Sequence, residues 1–161
     1  MKMSRFITAA ILFFGLVVVL VRYVDKSVPS NTSTINKYTY SGQVDEFFAL
    51  VKIFSNADSC LIVTMTDTTG TAKTGYTYYM DIEIKNKDRD ILYSIACEAK
   101  KNVPKPEAII KLVFAFDRIK KIGGYSKNAA GVTKLLDDFE NNFILPFENN
   151  QHIHLFLLKN S

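Results

Sequence analysis

Residues 76–84 read YTYYMDIEI, and Tyr76, Tyr78, Met80, Ile82 and Ile84 alternate strictly with Thr77, Tyr79, Asp81 and Glu83. A period of two is a β-strand with one face on a core and the other turned to water or to a partner. The chain must therefore build a sheet whose two faces differ. On the outward face Tyr79, Asp81 and Glu83 form a candidate interaction surface, because an aromatic set among charges on an open sheet is a place for a partner to dock.

The neighbouring segments supply more strands. CLIVTMT at 60–66 is rich in strand formers, and NKDRD at 86–90 is a turn that leads into ILYSIACEA at 91–99, with Ile91, Tyr93, Ile95 and Cys97 on one side. These make a three-strand meander. A short strand is expected near 38–41, and HIHLFLL at 152–158, apolar on both faces, reads as a strand inside the sheet.

Helices follow from a different period. In VDEFFALVKIF, Phe47, Leu50, Val51 and Phe54 recur at helical spacing, with Asp45 and Glu46 in the first turn, so 43–55 is a helix. A second helix follows Ser126, read as its cap, with Val132, Leu135, Leu136, Phe139 and Phe143 on one face up to Pro146. Between them, PEAIIKLVFAFDRIKKIGG fits two periods. Pro106, Glu107 and the closing Lys120, Lys121 and Gly123 are helix end signals, whereas Ile110, Leu112, Phe114 and Phe116 alternate as in a strand. The end signals favour a helix over 105–121. The expected fold is α+β: a mostly antiparallel sheet of four to five strands with two to three helices on one face.

The N-terminus limits where such a domain works. Residues 6–21, FITAAILFFGLVVVLV, carry no charge, follow MKMSR, and run directly into Arg22 and Tyr23. A cleaved signal has a shorter apolar stretch and small residues before the cut, which are missing here. Arg22 can snorkel and Tyr23 can lie at the interface, extending the helix toward the ~20 residues that span a bilayer. Residues 1–24 are therefore expected to be a retained signal-anchor helix, with secretion or periplasmic release after cleavage as the alternative. The flanking charges, Lys2 and Arg5 against Arg22 and Lys26, are balanced. Orientation then rests on the general habit of a short N-terminal anchor, which holds its single domain on the extracytoplasmic side. Residues 25–36, DKSVPSNTSTIN, have the composition of a flexible linker, leaving 37–161 as a single domain.

The net charge of +4 in 161 residues suggests nucleic-acid binding only until it is located. Four cations and one acid beside the apolar run supply three of those charges, so the domain is nearly neutral. No basic face for phosphates is expected, and the partners read from the sequence are the membrane and another envelope protein.

Motifs for chemistry are few. His152 and His154, two apart in the last strand, are candidate metal ligands, but two imidazoles without a third ligand specify no site, and no cofactor is expected. GTAKTGYT at 70–77 spaces Gly70 and Gly75 like a phosphate loop, yet Tyr76 stands where the lysine belongs and a strand follows. Cys60 and Cys97 fall near opposite ends of strands about 9.6 Å apart, too far for a disulfide. Asp137, Asp138 and Glu140 read as solvated acids on a helix surface. The function expected is a non-catalytic interaction or scaffold module, the alternative a small-ligand or lipid-binding domain, and no enzyme.

Overall fold

The alternation of 76–84 becomes the second strand of a long meander in the computed structural model, which describes residues 34–72 and 75–158. The strands are β1 (Asn36–Tyr40), β2 (Leu61–Thr71), β3 (Gly75–Asn86), β4 (Arg89–Ala99), β5 (Ala108–Asp117), β6 (Ile122–Gly124) and β7 (Leu155–Leu157). They form one antiparallel sheet in the order β2-β3-β4-β5-β1-β7, and β6 pairs with the far half of β5. Helix α1 spans Val44–Ala57. Helix α2 begins at Val132–Phe139, widens through a π-helical turn at Glu140–Ile144 and ends as Leu145–Gln151. The described residues belong to one compact unit. The anchor placed at 1–24 and most of the linker lie outside the described residues. Ile35 is fully buried and its amide donates to the Leu112 carbonyl at 2.8 Å, so the folded domain reaches back to that residue.

The α+β class stands, and the described residues form seven strands rather than four to five, with two helices. The largest difference is in 105–121, where Ala108–Asp117 form strand β5 and not a helix. Its register shifts where Ser94 faces Phe114 and Ile95 faces Leu112, leaving Val113 as an extra residue. That bulge buries Leu112 and Val113 side by side and moves the alternation by one, so the apolar spacing imitates a helical stripe. β6, the other addition, is three residues long and depends on Gly123. At φ +126° this glycine lies in the region that side chains avoid, and a Cβ there would strike the Ala115 carbonyl oxygen.

Both helices press on one face of the sheet. Val44, Phe47, Val51 and Phe54 of α1 are buried, and Glu46 accepts from the Gln43 amide at 3.4 Å to start the helix. From α2, Phe139, Phe143 and Phe147 stack at 5.1 and 5.6 Å, Tyr93 meets Phe139 at 4.8 Å, and Phe54 meets Phe147 at 5.5 Å. These rings fill the space between helices and sheet, and truncating one to alanine costs about 3–5 kcal/mol.

α2 departs from expectation at both ends. Ser126 does not cap it: its hydroxyl accepts from the Asn128 amide at 3.2 Å in a preceding turn, and the helix starts after Gly131. Nor does Pro146 end it. Proline lacks an N–H and its ring crowds the carbonyl four residues back. Just before it the helix has opened, with Leu145 donating to Glu140 five residues away, and the chain continues to Gln151. The widened turn keeps Phe143 and Phe147 on the sheet side.

The segment 152–158 is not an interior strand. β7 covers only Leu155–Leu157 and pairs with β1 alone, at the sheet's edge, with Phe156 and Leu157 exposed.

Candidate interaction surface

The two faces of the sheet differ as the alternation in β3 requires. Opposite the helices, Tyr79, Asp81 and Glu83 point together from β3, all half-buried. Their neighbours hold them. Ser94 on β4 donates its hydroxyl to Asp81 at 2.5 Å, and Arg118 bridges Glu83 at 2.7 Å and Asp90 at 3.1 Å. Lys111 pairs with Glu98 at 2.6 Å. Two of the three residues picked from the sequence are thus tied into ion pairs and hydrogen bonds of the chain itself. Such pairs contribute little to stability when exposed, but they leave Asp81 and Glu83 less free to meet a partner's charges. Beside them stands an aromatic group absent from the sequence reading: Phe114 and Phe116 stack at 6.0 Å, and Tyr125, more than half exposed, meets Phe114 at 4.5 Å.

A second feature lies at the sheet's outer edge. β2 is the terminal strand beside β3, and every residue from Thr64 to Thr71 is exposed. Between its helix side and α1 runs a groove of about 440 Å³, lined by Phe48, Ala49, Lys52, Val63, Met65 and Met80 among others. Met65 is half exposed there and Met80 forms the buried floor. Among the described residues Lys52 is the only charged one in the lining, and its ammonium has no ion-pair partner there. Nothing in the sequence alone marked this groove, since it arises where α1 crosses alongside β2. By the start of α1 a cleft of about 520 Å³ opens between Ser41–Gln43 and the 103–107 loop, with Glu46 and Glu107 on its walls.

Neither candidate metal ligand lies in the last strand: His152 closes α2 in a left-handed conformation, and His154, before β7, is exposed and 3.9 Å from Glu148. Among the described residues no group of three or more His, Cys, Asp or Glu is placed to hold a metal ion. Cys60 and Cys97 are both free thiols. Cys97 is fully buried, and burial, with Glu98 nearby, pushes its thiol well above the usual range, away from the reactive thiolate. Gly70 and Gly75 sit in the β2–β3 hairpin, with no helix following to receive a phosphate.

The acids of α2 are not simply solvated. Tyr38 donates to Glu140 at 2.5 Å, and the Tyr93 hydroxyl lies 2.8 Å from Asp138 and 3.1 Å from the Leu135 carbonyl. Asp138 also pairs with Arg89. Burial, reinforced by these carboxylates, raises both tyrosine pKa values far above normal, so the hydroxyls remain donors. The pairs fasten α2 to β1 and β4.

No protein-family model, curated protein or solved structure matches the chain. Among the described residues no helix is long and apolar enough to cross a membrane; the apolar run at 6–21 lies outside them.

Proposed function

We propose that the chain is a single-pass, membrane-anchored α+β domain that acts as a non-catalytic protein-interaction or scaffold module of the cell envelope. The observation that carries this reading is the asymmetry of the sheet: both helices cover one face, while among the described residues no helix covers the other face and no further strand pairs with the outer edge of β2. The uncharged run at 6–21 with its Arg22-Tyr23 border supports the anchor, and the extracytoplasmic side is proposed from the general habit of a short N-terminal anchor alone, since the flanking charges are balanced. The rival, a small ligand or lipid held against the concave face, would need space where Phe139, Phe143 and Phe147 stack.

Two measurements test it. A photo-activated cross-linker at Ile62, Thr68 or Tyr79 in cells is expected to yield one discrete protein adduct, and at Lys134 or Asn141 on the outer side of α2 none. No adduct from any position, or the same adducts from all, would remove the interaction reading. For the location, a C-terminally tagged chain should keep its full-length mass and lose its domain to protease added outside. A product shortened by the N-terminal segment or a protected domain would contradict the placement.

A further inference from the structure

We infer that the groove between α1 and the outer edge of β2 receives an extended segment of a partner protein by strand addition, with an apolar side chain seated against Met65 and an acidic residue two positions away facing Lys52. This rests on the interaction-module reading and specifies how the module engages its partner.

The first support is the backbone. Lys85 donates to the Cys60 carbonyl at 2.8 Å, so Cys60 faces β3. The Leu61 amide instead turns to the Asp58 carbonyl at 3.1 Å. Antiparallel pairing alternates this direction, which sends the amide and carbonyl groups of Val63 and Met65 outward, on the side where, among the described residues, β2 has no neighbouring strand. β2 is eleven residues long, against about 5–6 for an ordinary strand. Proteins usually blunt such an edge with lysine, proline or a short strand. β2 has no lysine or proline, its one charge is Asp67, and its register shift falls beyond Met65.

The second support is the groove itself. A strand laid along Val63 and Met65 would point alternate side chains to the helix side and to the open side. On the helix side they meet Met65, Phe48 and the floor at Met80, in a groove whose 440 Å³ lies within the range of binding clefts, ~300–1,000 Å³. On the open side they meet Ile62, itself half exposed. The third is charge. Lys52 borders the groove without an acidic partner among the described residues, so an acid on the helix-facing side of the incoming strand completes the pair.

The test uses the full-length chain and a random-peptide phage library. Selected peptides should alternate apolar and polar residues and carry Asp or Glu two positions from an apolar residue. Met65→Lys, which fills the groove from an exposed position, should weaken them at least ~10-fold. Val63→Pro, which removes one outward N–H where edge strands tolerate proline, should do the same. Lys52→Glu should exchange the preferred acid for a base, a change that loss of folding cannot imitate. Peptides that are indifferent to all three substitutions overturn the groove while leaving the interaction module standing, since its cellular cross-links are read separately. Failure to enrich any peptide also overturns the groove. Concentration-dependent dimers of the chain that Met65→Lys dissolves would assign the edge to a second copy and overturn the partner segment.

Discussion

The hydroxyl of Tyr38 in β1 donates to Glu140 in the π-helical turn at 2.5 Å, joining residues 102 positions apart. Tyr93 makes the matching bond from β4 to Asp138. The two tyrosines fix α2 over one face of the sheet.

Replacing either tyrosine with phenylalanine removes a donor and leaves a partly buried carboxylate short of a partner. Tyr38→Phe and Tyr93→Phe should each lower stability by about 1–2 kcal/mol in urea unfolding, with the far-ultraviolet circular dichroism of the native state unchanged. The alkaline limb reports the same bonds. Both folded-state values are raised above the ordinary tyrosine value near 10, first by burial and then by the carboxylates. Their contribution is therefore present below about pH 10 and lost as the pH rises further. Absorbance titration should show these tyrosines ionising only as the domain unfolds.

Asp117 gives the acid limb. It is almost fully buried and accepts from the Ile119 and Lys120 amides at 3.0 and 2.8 Å and from the Lys120 ammonium at 3.1 Å. Burial opposes its ionisation, but these donors outweigh it and hold its pKa below the ordinary value of 3.8. Its stabilisation is thus present above about pH 4 and lost as pH falls through the lowered value. Asp117→Asn should cost about 1 kcal/mol at pH 7, and the difference from the parent chain should shrink below pH 4.

Gly123 tests the smallest strand. Gly123→Ala forces a side chain into a left-handed conformation and against the Ala115 carbonyl. A loss of about 1–3 kcal/mol in thermal unfolding is expected, whereas the exposed, unstrained position Lys134 should accept alanine with almost no change.

The cysteines should separate by rate. Cys60 is partly exposed and Cys97 fully buried. A thiol reagent should label one site in the native chain and the second only on unfolding.

What the sequence revealed was what lies in a local period. The alternation of Tyr76 to Ile84 identified β3 and its two unlike faces, and the stripe of Phe47, Val51 and Phe54 identified α1, because each signal lies within one element. β5 was misread because the extra residue at Val113 shifts the phase of its alternation. The extension of α2 past Pro146 was hidden because a π-helical turn, not a break, accommodates the proline. Asp138 and Glu140 look like surface acids until the fold brings Tyr93 and Tyr38 beneath them. The groove was illegible for a similar reason: Lys52 and Met65 are unremarkable in their own segments and acquire meaning only where α1 flanks an unpaired edge.

That edge carries the central claim, and amide hydrogen exchange on the full-length chain reads it directly. In the free chain the Val63 and Met65 amides should exchange rapidly, and on binding a selected peptide both should slow at least ~10-fold while the interior strand amides of β4 stay as they were. If Val63 and Met65 are already protected in the free chain, or their exchange is unmoved by a bound peptide, strand addition at β2 is contradicted.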